Sequence, residues 1–334
     1  REYAPHKTGA EVREDEAVII VWTGTGKSVT AVLRAISAGT LLVLSFDVSA
    51  VSAQESATVS PDTLTQGKIT FPTGSVYDGE LKNGRMHGQG KITYAKGGIY
   101  EGAFFEDKIT GVGSFVYPNG DRYEGSFVDG QRHGDGNFWF GNGSEYKGNF
   151  ANGEMSGRGR LIFTSGAVYE GEFVGGRREG DGELRFPGGD RYVGAFRGGE
   201  MHGRGRLTYA NGHVYDGEFS DGHRHGQGSF TAANGDTYAG MFVEGKRHGK
   251  GTFTQADGVR YEGEYAADKR QGAGVIVYTN GDRFEGSFED DLKAGAGVLT
   301  YQDGTRFEVS YEAGKPVGKA VWIYPDGHRI EGDF

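Results

Sequence analysis

From Gly67 to Phe334, large apolar residues and glycines alternate in short runs, and the runs recur with a single period. Tyr77, Tyr100, Tyr123, Tyr146, Tyr169, Tyr192, Tyr215, Tyr238, Tyr261, Phe284, Phe307 and Ile330 follow one another at a constant interval without exception. A glycine falls two residues after each of the first ten (Gly79 through Gly286), and an aromatic residue four after most of them, as at Phe127, Phe150, Phe173, Phe196 and Phe219. A G-x-G pair follows, as in Gly180/Gly182. A large apolar residue comes fifteen after the leading ring, an aromatic usually seventeen after, and a glycine twenty after. Alternation with period two, interrupted by turn residues, predicts strands. In the first half of a unit, Tyr169-Glu-Gly-Glu-Phe173 puts its rings on one face with glycine between them. In the second half, Gly180, Gly182, Leu184 and Phe186 share a face. Strand glycines leave room for neighbouring rings to lie flat. Gly175-Gly176 and Pro187-Gly188-Gly189-Asp190 have turn chemistry. Each unit therefore reads as a two-stranded antiparallel hairpin that buries its face only by stacking on its neighbours.

The pattern Y-x-G-x-F-x-x-G-x-x-x-G-x-G-x-x-x-[YF]-x-x-G closely resembles the MORN-repeat family. The resemblance spans about eleven units, with a half-unit leading in at Gly67, Phe71 and Gly74 and another closing at Ile330, Gly332 and Phe334. It implies an all-β fold, an elongated single-layer antiparallel sheet on the order of 100 Å long with an aromatic groove on one side. Some positions depart from the pattern. Asp107, Asp268 and Asp291 replace a turn glycine, at a place where positive φ suits Asp better than most residues. Ala232 and Gln255 replace the aromatic seventeen on. Val309 and Ala320 replace glycines in the last full unit, which is expected to be distorted and to act as a cap.

Ahead of the array the pattern changes. Ala35–Phe46 is a 12-residue, largely apolar run, preceded by Lys27 and Arg34 and followed by Val51-Ser52-Ala53 before Gln54. A positive flank, a short apolar stretch and a small-residue exit are the parts of a secretory signal. An uncleaved anchor and a buried apolar segment are competing readings, and the run by itself is too short to span a bilayer. The chain thus divides into an N-terminal extension (1–33), a signal or anchor (34–53), a linker (54–66) and the array (67–334). Export follows if 34–53 is a signal; otherwise the chain is cytoplasmic or membrane-associated. Glu16–Trp22 reads as a buried strand, Gly24-Thr-Gly26-Lys27-Ser28 follows, and a helix is expected after it. This is an incomplete phosphate-binding loop, because the first glycine of G-x-x-x-x-G-K-[ST] is replaced by Val21 and no parallel sheet has room to form around it.

Composition narrows the function. Glycine occurs 62 times and proline 7, with 13% aromatics, which fits short strands whose rings pack over glycines rather than a disordered glycine-rich chain. The net charge of −10 argues against nucleic-acid binding, which needs a basic footprint. There is no cysteine, so disulfide and thiolate chemistry is excluded. No Ser, His or metal-binding catalytic motif is present, and every G-x-G lies in a strand instead of opening a helix. The expected cofactor set is empty. The histidine ladder His202, His225, His248 has a pitch of about 9–10 Å, too wide for one metal ion.

Two candidate binding surfaces remain. Basic residues just before the G-x-G pairs (Arg85, His87, Arg132, His133, Arg177, Arg178, His202, Arg224, His225, Lys246, Arg247, His248, Lys269, Arg270) are expected to line the hairpin tips as a basic ridge suited to anionic lipid or an acidic protein. Glu124, Glu170, Glu172, Asp216, Glu218, Glu262, Glu264 and Glu285 are expected to make the face opposite the rings acidic. The second surface is the aromatic groove (Tyr123, Phe127, Tyr146, Phe150, Tyr169, Phe173, Tyr192, Phe196, Tyr215, Phe219), either a packed core or a strip that receives a helix, peptide or sugar chain. The resemblance implies a non-catalytic scaffold for protein binding or self-association, including association through the exposed final strand near Phe334. A membrane-surface module for anionic phospholipid and a regulatory region of a larger enzyme are the alternatives it implies.

Overall fold

The computed structural model describes residues 63–334 and three short strands ahead of them, Val21–Gly24, Val29–Val32 and Val43–Phe46. The chain divides into two units, Arg1–Leu64 and Thr65–Phe334. In the first, the three strands pair antiparallel in sequence order. Val21–Gly24 pairs with Val29–Val32, so the Gly24–Ser28 stretch joins two antiparallel strands, and the expected helix after Ser28 is replaced by a strand. The rest of the 34–53 segment lies outside the described residues.

The second unit is one open antiparallel sheet running from Thr65–Thr70 to Arg329–Asp333, each strand paired with the next in sequence. No helix occurs among the described residues. A repeat consists of a seven-residue strand and a nine-residue strand, as in Glu145–Ala151 and Glu154–Ile162. Asn152 and Gly153 join them, with φ of 50° and 82°. Two successive positive-φ residues make the tight turn whose twist matches paired strands. The return to the next repeat is a three-residue loop, Thr164–Gly166, closed by the Gly166 N–H donating to the Phe163 carbonyl at 2.8 Å.

The two glycines of G-x-G turn out to serve different ends. The first is a bulge residue: Gly157 has φ 59°, and the register between the two strands shifts between Gly148 and Asn149. That left-handed conformation favours glycine. The second faces a glycine across the ladder, as Gly159 faces Gly148, and the leading tyrosine lies over both. A Cβ built at Gly102 or Gly113 would stand 2.6 or 2.5 Å from the hydroxyl of Tyr100. The first of each pair therefore does not share a slot with the second, as the alternation alone had suggested.

The hydroxyl of each leading tyrosine then donates to the carbonyl three residues on, as from Tyr146 to Asn149 at 2.9 Å and from Tyr169 to Glu172 at 3.0 Å. The rings interlock edge to face from repeat to repeat. Tyr146 meets Phe150 at 5.2 Å and Phe173 of the next repeat at 5.0 Å, with interplanar angles of 89° and 80°. The zigzag runs to the Phe284–Tyr311 contact and stops there. In the last full repeat Val309 faces Ala320, so Phe307 has no flat slot and tilts onto Trp322 at 4.6 Å. The expected distortion of that repeat is thus a displaced ring.

Candidate functional site

The residues expected to line an aromatic groove are the core of the sheet. Tyr123, Tyr169, Tyr192 and Tyr215 are 0% exposed, and Tyr146, Phe127, Phe150, Phe173, Phe196 and Phe219 are scarcely more. What the aromatic face offers a ligand is a second set of half-buried rings, the residues seventeen after the leading tyrosine: Tyr94, Tyr117, Phe140, Phe163, Phe186, Tyr209 and Tyr278. Burial pushes the phenols of Tyr123, Tyr169, Tyr215, Tyr238 and Tyr261 up to about 12, against a smaller opposing pull from the neighbouring guanidinium.

The structure divides the expected basic ridge in two. The hairpin tips themselves are the two residues before it, and the basic residues begin the returning strand. The middle residue of each group points to the aromatic face. Arg132, Arg178, Arg224, Arg247 and Arg270 lie over rings, with guanidinium carbons 4.8 Å from the Phe138 centroid, 5.4 Å from Phe196, 5.2 Å from Phe242, 5.0 Å from Tyr265 and 5.1 Å from Phe288. These are cation–π distances. Each guanidinium also donates to the carbonyl of the next repeat's tip, as Arg224 does to Gly245 and Arg270 to Asp291 at 2.6 Å. Met86, Ile109, Met155 and Met201 fill the same place in the other repeats, so the position wants a long side chain over rings.

The remaining ridge residues stay at the tip edge, where acidic tip residues answer the cations. Arg85 pairs with Asp107 at 2.7 Å, Lys108 with Asp129 at 3.0 Å and Lys269 with Asp290 at 3.0 Å, each acid sitting one repeat further on. The edge is consequently a row of mixed charge. The three aspartates that replace turn glycines do more than tolerate φ of 70°, 75° and 70°. Asp107, Asp268 and Asp291 accept the backbone N–H of Met86, Arg247 and Arg270 in the preceding repeat. His87 stacks on Phe105, His225 faces Glu218 across the strands, and His133, His202, His248, Arg177 and Lys246 stand at the same edge with no convergent partner among them.

The opposite face is banded in charge. Glu170 and Glu172 face Arg160 and Arg158, and Asp216 and Glu218 face Arg206 and Arg204, while Glu264 faces Lys250. Arg160 reaches Glu170 at 2.9 Å. The expected acidic face counted the carboxylates but not these cations, which stand in the preceding strand and become neighbours only through the register.

The family model for the MORN repeat matches residues 77–306 in ten abutting copies of equal length and an eleventh over 310–329. The chain belongs to the MORN-repeat family. No curated protein matches it. Among solved structures it is similar to the TCP domain of SAS-4 (dCPAP) of Drosophila melanogaster, in complex with a proline-rich motif of Ana2 (dSTIL). The identity is 12%, the match covers 53% of this chain and 90% of that one, and the TM-score is 0.33.

Within the MORN array the cationic positions are unevenly spread. Up to the repeat beginning at Tyr192 they alternate with Met and Ile. From Tyr215 onward Arg224, Arg247, Arg270 and Lys293 follow one another without a break. The same stretch contains the two MORN repeats that lack the outer ring, at Ala232 and Gln255. The sequence holds both signals. Only the fold puts them side by side, because the ring position of one repeat borders the cation of the next, as Tyr117 borders Arg132 at 3.1 Å.

Proposed function

We propose that this MORN array is a non-catalytic scaffold whose aromatic face binds a protein. One observation carries the reading. The strand positions whose side chains point to the aromatic face combine half-buried rings with guanidinium groups and hold no acidic residue of their own, Asp268 and Asp291 reaching Arg247 and Arg270 from the tips, while Arg85, Lys108 and Lys269 at the tip edge are answered by acids of the next repeat. Surface ion pairs of that kind are worth only about 0–1 kcal/mol each. They nonetheless offset the charge of Arg85, Lys108 and Lys269, and so lower the attraction to anionic lipid, which is worth about 1 kcal/mol per uncompensated basic residue. A photo-reactive residue placed at Phe163 is expected to cross-link to a protein in the native cell, and one placed at Glu170 on the opposite face is not. Cross-links from both faces alike, or to lipid, would sink the reading.

The lipid alternative gives a second expected result. In flotation at physiological salt the full chain should not rise with anionic vesicles, and Arg85→Glu, Arg177→Glu, Lys246→Glu and Lys269→Glu should change nothing. Flotation that these reversals abolish would make the edge a membrane contact.

Export belongs to the same proposal. It is supported by Arg34, the Ala35–Phe46 run and the Val51-Ser52-Ala53 exit. N-terminal sequencing of the chain recovered from fractionated cells should find Gln54 first; recovery of a chain still carrying residues 35–53 would argue against cleavage there.

A further inference from the structure

We infer that the aromatic face across the repeats beginning at Tyr215, Tyr238, Tyr261 and Phe284 docks an acidic amphipathic helix, laid along the array, that presents carboxylates at every seventh position. This rests on the protein-binding reading of that face and names the partner's chemistry.

Three observations converge. The first is charge. Arg224, Arg247, Arg270 and Lys293 form an unbroken row on the aromatic face, one per repeat, and no strand position of that face carries an acidic residue. Asp268 and Asp291 reach the row from the tips and bind the Nε atoms of Arg247 and Arg270, at 3.2 and 3.3 Å, while Nη2 donates to the carbonyls of the same aspartates. That arrangement leaves Nη1 of each guanidinium for a ligand.

The second is access. In the repeat beginning at Tyr123, Nη1 of Arg132 is used up by the hydroxyl of Tyr117, the outer ring of the preceding repeat, at 3.1 Å. Lys293 meets Tyr278 in the same way at 3.3 Å. Arg247 and Arg270 border Ala232 and Gln255 instead, so the rim is open and the hydroxyl is missing at these two arginines.

The third is pitch. Equivalent positions in successive repeats are two strands apart, about 9.6 Å. Two turns of α-helix advance about 10.5 Å and return to the same face, so residues i, i+7 and i+14 present carboxylates in step with Arg224, Arg247 and Arg270. An extended peptide reaches about 10 Å only at i+3, where side chains point to opposite sides. A helix fits this row and a strand does not. Apolar residues between the carboxylates would rest on Phe230 and Phe253, which are half-buried.

The test uses two synthetic helix-forming peptides of one composition, titrated against the full chain by fluorescence anisotropy. One carries glutamate at every seventh position with leucine three and four positions after each. The other has the same residues with successive glutamates five apart. The first is expected to bind and the second to bind at least about tenfold more weakly, since its carboxylates leave the row. Arg247→Gln and Arg270→Gln should each weaken the first peptide about tenfold, the loss of one charge-assisted hydrogen bond. Gln255→Tyr should weaken it as well while raising the midpoint of thermal unfolding, because a ring there restores the packing seen at Tyr117. Opposite signs on binding and stability separate a closed rim from a damaged fold. Equal affinity for the two peptides, indifference to Gln255→Tyr, or displacement of the peptide by anionic vesicles would each overturn the helix. None of these bears on the cross-link from Phe163, so the protein-binding reading stands or falls separately.

Discussion

Gly182→Val is expected to destabilise the array by about 3 kcal/mol, the upper part of the range for overpacking a tight core. Gly182 faces Gly171 across the hairpin, and the ring of Tyr169 lies over both. A Cβ at Gly182 would sit 2.5 Å from the Tyr169 hydroxyl and ring edge. The ring has nowhere to retreat, because Phe173 and Phe196 hold it edge to face at 5.2 and 4.9 Å. The chain contains its own precedent. At Val309 and Ala320, where the slot is filled, the ring of Phe307 has left the ladder and packs on Trp322. Urea unfolding followed by far-ultraviolet circular dichroism measures the loss. Each repeat contacts only its neighbours, so a break in mid-array should also split the transition in two. Gly180→Ala, in the same strand, should cost about 1 kcal/mol, because there the demand is on a φ of 63° and the atom in the way is the movable carboxylate end of Glu172. Combining Gly182→Val with Tyr169→Ala should cost less than the sum of the two, since the ring that clashes is gone. A loss below about 1 kcal/mol for Gly182→Val would mean that the ring does not need its slot.

Alkaline pH should unfold the array cooperatively. The ladder tyrosines favour the neutral phenol because ionising them would bury a charge. Tyr123, Tyr169, Tyr215, Tyr238 and Tyr261 are pushed up to about 12, whereas a phenol in the unfolded chain ionises near 10. A group whose folded value is raised contributes stability that is intact below its unfolded value and lost as the pH climbs toward the folded one. Stability is therefore expected to be insensitive to these groups below about pH 10 and to fall between about 10 and about 12, steeply because many equivalent tyrosines act together. Tyrosinate absorbance and the strand signal in circular dichroism should change in one transition. Tyrosines that ionise well before the strand signal is lost would show that the phenols are reachable by solvent in the folded sheet.

Much of this protein can be read from its residues in order. The 23-residue period, the two alternating runs and the turn glycines specify hairpins, because strand geometry has period two and tight turns want positive φ. The strand–turn–strand unit, its stacking, and the distortion expected at Val309 and Ala320 all follow from patterns within one repeat or from its comparison with its neighbours. The slot for a flat ring was legible for the same reason.

What tertiary structure decided was everything that depends on which atoms of different repeats meet. The first glycine of each G-x-G became a bulge residue, since the two extra residues of the longer strand must be absorbed somewhere. That shift puts Arg178 opposite Phe173 and so decides which rings the middle member of each basic group meets. The charge of Lys269 and Arg85 is cancelled by tip acids of the following repeat. Arg160 pairs with Glu170, and Arg158 stands opposite Glu172 in the register. Alternation along a strand says which side a residue faces. It does not say which residue of the next strand lies beside it, and charge and cation–π contacts act over only a few ångströms. The period determined the scaffold; the register across strands determined the surfaces it offers.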